Sequence, residues 1–251
     1  MAVSSLSWAE APSGWFVSLG AFDPKASTNI RLDVQNGQYG TNLHLESDLG
    51  LPERRVVPQA TLGYHFTRRA SLEFGYFDLR RTGNRVIDKS ISYGGETYTI
   101  NTVVNTFSDS RTEFLQFRYA FVDQGPWTVS AMLGLQATRF TLGLSDGSTG
   151  ASKSVDAQAP SPLIGLQGGY DLRGWRLSAT AEYFKLTVNG LHGYLGNYAV
   201  SVSHRLPAGL SMELGYQRDI LSVTANRTSF TGTVRLAYQG PFLALCYGCM
   251  R

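Results

Sequence analysis

The feature that most constrains this chain is a period-two alternation of apolar and polar residues that recurs along most of its length. In Glu113–Phe121, Leu115, Phe117, Tyr119 and Phe121 alternate with Gln116, Arg118 and Ala120. In Gln59–Phe66, Ala60, Leu62, Tyr64 and Phe66 share one parity, and in Leu210–Gln217 Leu210, Met212, Leu214 and Tyr216 do. Leu177–Tyr183, Tyr198–Val202 and Val234–Tyr238 repeat the pattern. A strand sends successive side chains to opposite faces, so each segment reads as a strand with one apolar and one polar side.

Each apolar row ends, or nearly ends, in an aromatic. A soluble sandwich has no use for that placement, whereas a membrane barrel puts amphipathic rings at the headgroup layer. The opposite row holds Gly, Ser, Thr, Gln and single charges, which suits a filled polar lumen. The chain has 27 Gly, 13 Tyr and 13 Phe but only 16% charged residues, and a helical enzyme would normally carry more Ala, Glu and Lys. Its net charge of +3 is scattered, so no nucleic-acid footprint is indicated. The longest uncharged stretch, Leu186–Ser203, contains Asn189, Gly190, His192, Gly193, Gly196 and Asn197. A spanning helix needs roughly 20 mostly apolar residues. The remaining way across a bilayer is a closed barrel, which pairs every backbone donor and acceptor.

The connections alternate between short and long. Short ones fall at 66–71, 122–127, 171–175 and 205–209, and long ones near 81–111, 143–159, 189–196 and 219–229. Outer-membrane barrels have short periplasmic turns and longer external loops. The expectation is therefore an all-β, transmembrane antiparallel up-and-down barrel of about ten strands, with eight or twelve as the other even counts. The strands are placed at 14–23, 56–67, 70–83, 109–122, 126–142, 159–172, 174–189, 196–206, 209–224 and 228–249. Thr28–Val34 with Thr41–Leu49 reads as a further hairpin or a folded loop, and Gln239-Gly240-Pro241 as a bulge or a turn. Residues 1–11 read as a signal-peptide remnant, because Ala9-Glu10-Ala11 fits a small-x-small cleavage site. Residues 12–251 then form a single barrel domain.

Gly14-Trp-Phe-Val-Ser-Leu-Gly-Ala-Phe22, Asp48-Leu-Gly-Leu51, Leu72-Glu-Phe-Gly-Tyr-Phe-Asp-Leu79 and Tyr238-Gln-Gly-Pro-Phe-Leu243 carry a resemblance. Over most of its length the chain resembles a widespread, largely uncharacterised family of proteobacterial outer-membrane barrels, similar in kind to outer membrane protein A and protein W. The resemblance implies fold and location and no activity. It further implies the lipid bilayer, lipopolysaccharide and the outer-membrane assembly machinery as partners. Such chains end in Phe, and this one departs from that pattern with Cys246-Tyr-Gly-Cys-Met-Arg251.

No catalytic constellation stands out. Ser203 and His204 are neighbours on opposite faces, so they cannot form a dyad. His65 reads as a lumen residue near a short turn and His192 as a loop residue, while His44 lies in a segment the pattern does not place. Asp78, Asp109 and Asp146 fall near the external ends without a paired His. Cys246 and Cys249 point to opposite faces of an extended strand, and no further ligands cluster with them. We expect no cofactor and no metal.

Charges assigned to the lumen by register are Glu73, Arg118, Arg176, Glu182, Arg205, Glu213 and Arg235. Buried charges pair or meet water, and about eight strands already fill their interior with side chains. A salt-bridged plug is thus favoured over an open charged constriction. The expected function is a structural outer-membrane protein, monomeric, or a passive pore for small solutes. One alternative is a surface ligand or adhesion module built on the 80–111 loop, in which Ser90–Ile100 reads as a hairpin around Gly94-Gly95. Another is a lipid-modifying enzyme.

Overall fold

In the computed structural model, residues 14–32, 41–93, 96–147, 152–188, 191–227 and 230–250 are described. The expected leader remnant at 1–11 lies outside them. The strands are β1 (Gly14–Phe22), β2 (Lys25–Leu32), β3 (Leu43–His44), β4 (Val57–His65), β5 (Ala70–Val86), β6 (Ile91–Tyr93) and β7 (Glu96–Tyr98). They continue as β8 (Val103–Gln124), β9 (Trp127–Asp146), β10 (Ser152–Leu172), β11 (Trp175–Val188), β12 (Leu191–Arg205), β13 (Leu210–Arg227) and β14 (Phe230–Tyr247). One short helix, α1 (Leu45–Leu49), follows β3.

All pairings are antiparallel between neighbours, and β1 closes on β14, with Val17 opposite Tyr247 and Phe22 opposite Phe242. β2 continues the same wall position, with Lys25 opposite Gln239 and Leu32 opposite Gly232. Counting β1 and β2 as one and leaving out the two-residue β3 gives a wall of ten strands, the expected number. The kink expected at Gln239–Pro241 falls on the partner instead. β14 runs unbroken against β13, while the chain opposite bends at Asp23-Pro24. Gly240 is required there, because a Cβ would strike the Asp23 carbonyl.

The short turns gather at the end that carries residue 14 and the end of β14, the periplasmic side. Arg173 (φ 44°) and Gly174 (φ 88°) make a two-residue turn with both residues left-handed, the geometry that matches strand twist. The segments expected as long external loops are mostly strand. β5 reaches Val86, β8 begins at Val103, and β9 and β10 stay paired out to Ser145–Ser152. The wall therefore rises well beyond the membrane.

Two chemistries share that wall. In its lower half the outward residues are apolar and exposed, among them Leu19, Leu133, Leu135, Leu166 and Leu214, while the inward ones include Ser130, Gln116 and Gln136. This exposed apolar belt is stable only against lipid. In the upper half the parity of the apolar residues flips. On β9 the row passes from Leu133 and Leu135, outward, to Phe140, Leu142 and Leu144, inward and buried. On β14 it passes from Leu243 and Leu245 to Tyr238, Leu236 and Val234. No bulge is needed, because the surroundings change from lipid to water and the apolar side chains turn to a dry interior.

That interior is completed by residues 43–51, between β2 and β4. Leu43, Leu45, Leu49 and Leu51 are buried with Leu79, Val104, Leu142 and Leu236 in one cluster. Of the segment expected as an extra hairpin or folded loop, the part up to Leu32 belongs to β2 in the wall and residues 41–49 are a plug seated inside the outer mouth, while residues 33–40 lie outside the described ones. The wall is not continuous at that height. β10 pairs with β11 only from Ile164–Tyr183 down to Leu172–Trp175. Above this, β10 stays with β9 and β11 with β12.

Candidate functional site

From the periplasmic side the lumen begins as a vestibule of about 620 Å³, lined by His65, Arg68, Arg69, Arg176 and Cys249 among others. The His65 ring lies against Phe16, with centroids 4.6 Å apart. Arg176 donates to Thr128 Oγ1 at 3.1 Å and lies 3.7 Å from Asp171. At the vestibule's inner end Arg118 forks onto Glu73, with Nη2 2.7 Å from Oε1 and 2.9 Å from Oε2.

Beyond that pair lies a cavity of about 280 Å³. Glu182 enters it from β11 and accepts hydrogen bonds from Gln116 and from Asn197, the latter at 3.1 Å. Asn197 also donates to Gln136 Oε1 at 3.0 Å, and Gln217 donates to Asp219 at 3.1 Å. Glu213 lines both spaces. Amide side chains interleaved with carboxylates let buried charge be met by donors rather than water. Three lumen glycines are covered by neighbouring rings: Gly63 by Phe16, Gly75 by Phe114 and Gly215 by Phe242.

Above the cavity the closure is apolar, through Phe242, Tyr238 and Leu236 and then the plug leucines. One ion pair pins the plug. Arg81, 1% exposed, lies 2.6 Å from Glu46 Oε1 and donates to Thr28 Oγ1 at 2.8 Å. The second Glu46 oxygen accepts from the Thr28 N–H at 2.9 Å. A further clamp joins Lys89 to Asp48 at 2.8 Å. Burial works to raise the Asp48 pKa, but the Lys89 ammonium and the His44 N–H outweigh it and hold the carboxyl below its ordinary value.

Of the residues assigned to the lumen from sequence, Glu73, Arg118, Glu182 and Glu213 line the cavity and Arg176 the vestibule. Arg205 is exposed at the periplasmic rim. Arg235 is a correction: it is exposed on the outside, with Val234 and Leu236 buried on either side of it. It lies above the level where parity flips, so a register extrapolated from the lower wall assigns it to the wrong face. Sequence reasoning missed the Arg81–Glu46–Thr28 hub, because Arg81 fell where the strand at 70–83 meets the expected 80–111 loop, and Thr28 and Glu46 lay in the segment expected as a hairpin or folded loop. The shift from Leu72, Phe74 and Tyr76 to Phe77 and Leu79 was the available signal.

Ser203 is buried on the lumen face, whereas His204 stacks on Trp175 with ring centroids 4.2 Å apart. Asp78 and Asp109 are held by Arg80 at 3.0 and 3.4 Å. Among the described residues no group of acids, His or Cys could hold a metal ion. Cys246 and Cys249 were expected on opposite faces and instead form a disulfide, with Cα atoms 5.9 Å apart. β14 ends at Tyr247, and Gly248 (φ 79°) reverses the chain to bring them together.

No protein-family profile matches the chain, and no curated protein matches it in sequence. Among solved structures, the outer membrane protease OmpT from Escherichia coli is similar with a TM-score of 0.62 and 13% identity, covering 97% of this chain and 99% of that one. The transport unit of the autotransporter AIDA-I from Escherichia coli is similar with a TM-score of 0.44 and 7% identity, covering 98% and 93%. The chain has the fold of an outer-membrane β-barrel, and its exposed apolar belt is the surface by which such a barrel sits in the bacterial outer membrane.

Proposed function

We propose that this barrel is a non-conducting structural protein of the outer membrane, an anchor that holds a rigid β extension above the bilayer. The observation that carries the reading is the stack of closures along the lumen. The Arg118–Glu73 fork, the amide–carboxylate layer and the leucine plug follow one another, and each is filled by side chains. The extension is firm. The β6–β7 hairpin is docked by Tyr98, whose hydroxyl donates to the Leu144 carbonyl at 3.2 Å, with Ile87 and Ile91 buried beneath. That rigidity supports a display role for the 80–111 region. On this reading the protein carries out no catalytic step, and the OmpT likeness, at 13% identity, is one of fold.

Planar-bilayer recording of the refolded protein tests this, with heat-modifiable gel mobility as the folding control. A folded, inserted and silent protein is expected. Discrete current steps that change when Arg118 or Glu182 is neutralised would overturn the proposal and make the lumen a solute path.

A further inference from the structure

High on the outward wall, β5, β8, β9 and β10 form a shallow groove of about 650 Å³. Thr82, Asn84, Asn105, Phe107, Ser145 and Ser152 line it, with Gly143 in its floor. Two rows of ladder partners build it. Thr82, Phe107, Gly143 and Ser154 lie side by side, and Asn84, Asn105, Ser145 and Ser152 lie one outward step above them. Among the described residues, none that lines the groove is charged. The row below carries Arg80, Asp109, Thr141 and Asp156, and its charges are already engaged. Arg80 lies 3.4 Å from Asp109, and Thr141 Oγ1 donates to Asp156.

Phe107 is 41% exposed on this polar wall. Beside it, a Cβ on Gly143 would meet nothing within 4 Å, so the ring leaves an open slot at its flank. A glycine inside a strand weakens it and marks a bulge, a bend or a close approach. The register of β9 runs unbroken past Gly143 on both sides, and its φ is not left-handed. Gly168 is equally open, but it lies in the apolar belt between Leu166 and Tyr170, where lipid fills the space. Lipid does not reach Gly143. On the outward row of β8, Glu113, Arg111 and Asp109 stand between Leu115 in the belt and Phe107. Each outward step is about 7 Å along the strand, of which a tilt of about 40° leaves about 5 Å of height, so Phe107 stands about 20 Å above the belt. One step higher, Asn84 Nδ2 donates to Asn105 Oδ1. That bond leaves the Asn84 oxygen as an acceptor and the Asn105 nitrogen as a donor, side by side.

We propose that this groove binds a neutral saccharide, with Phe107 as the platform and Gly143 as the slot beside it. A pyranose ring carries C–H groups on its faces and hydroxyls around its edge. A C–H face packs on the Phe107 ring and settles toward Gly143, where no side chain stands in the way. Two adjacent hydroxyls, each able to donate and to accept, meet the Asn84 oxygen and the Asn105 nitrogen. Ser145 and Ser152 offer further hydroxyls at the same level. Other ligands fit less well. An anion finds no cation in the groove, and a peptide strand finds no open edge at its centre, because β8 and β9 are paired on both sides there. The inference rests on the display role of the extension and gives that role a ligand class.

The test uses the full refolded chain in a polyoxyethylene detergent, whose headgroup is not a sugar, with gel mobility as the folding control. The probes are immobilised oligomers of β-linked glucose, galactose and N-acetylglucosamine, and one sulfated oligomer. Saturable binding to at least one neutral series is expected, competed by the same sugar in solution and unchanged at high salt, since no ion pair is involved. Phe107→Ala should bind at least about tenfold more weakly, the scale of losing an aromatic contact with its buried area. Gly143→Val is the sharper variant. It fills the slot without meeting any neighbour, so it should fold as well as the wild type and lose binding. Arg235→Gln, on β14, should bind unchanged. No binding across the neutral series, binding that needs the sulfated oligomer or falls with salt, or a folded Gly143→Val that binds like the wild type would overturn the assignment. Bilayer recording is scored separately, so a conducting barrel that binds sugar would retire the non-conducting reading alone.

Discussion

Replacing Glu46 should loosen the outer plug while leaving the wall intact. Arg81 is 1% exposed, and Glu46 is its counter-ion at 2.6 Å. In Glu46→Ala the guanidinium keeps Thr28 Oγ1 and the Pro52 carbonyl as acceptors but no anion, and the Thr28 N–H loses its acceptor. Breaking a buried pair from one side costs about 3–5 kcal/mol, because an uncompensated charge stays behind. Removing both partners in favour of apolar groups of similar volume, Arg81→Met/Glu46→Leu, should restore most of that loss, since neither charge then needs solvation. The assay is urea unfolding in micelles together with limited proteolysis, scoring cuts between residues 33 and 56. The single variant should be cut there at urea concentrations that leave the barrel's heat-modifiable mobility unchanged. If Glu46→Ala costs less than about 1 kcal/mol, or the double variant is no more stable than the single, the hub is not what seats the plug.

Three further outcomes follow from neighbouring details. Leu49→Ala, at a fully buried plug position, should cost about 2–5 kcal/mol and increase the same proteolysis. Gly75→Val should slow refolding and lower stability by about 1–3 kcal/mol or more, measured by the folded fraction on gels, since even a Cβ meets the Phe114 ring. Asp48 titrates low because Lys89 and the His44 N–H favour its ionised form, so its contribution is present above the unfolded-chain pKa and lost as pH falls through the lower folded one. With Lys89 half-exposed the effect is about 1 kcal/mol or less, read as a difference in stability between pH 6 and pH 3 that shrinks in Asp48→Asn.

The lower wall was legible because lipid outside and polar lumen inside impose one parity over a run such as Leu115–Phe121. Strand number and closure follow from the same rows and from the sorted turn lengths. The upper wall was not, since its alternation survives with the opposite meaning. Arg235 was assigned inward for that reason, and Arg81 fell where the strand placed at 70–83 overlaps the connection placed near 81–111. Inside the cavity, Glu73, Arg118 and Glu182 could be named from parity alone. Asn197 is Glu182's ladder neighbour on β12, but the bonds from Gln116 to Glu182 and from Asn197 to Gln136 depend on which strands face each other across the lumen, which parity does not encode. Lys25–Leu32 and residues 43–51 carry mixed signals, a β run and then a leucine-rich turn of helix, because their buried side chains answer to the dry outer interior and not to a bilayer.

The parting of β10 from β11 gives the outer mouth a mechanical character. Above Ile164 and Tyr183 no ladder ties the two strands among the described residues, so the upper barrel is a pair of flaps meeting along a seam. On the far side the flaps are stitched: β2 runs along β14, and α1 packs against both β2 and β5. Along the seam itself Pro160 and Pro162 offer no N–H, so a stray strand finds a poor template there. The mouth is a clasp sewn along one side, and what keeps it shut is the grip of its leucines together with the Arg81–Glu46 pair.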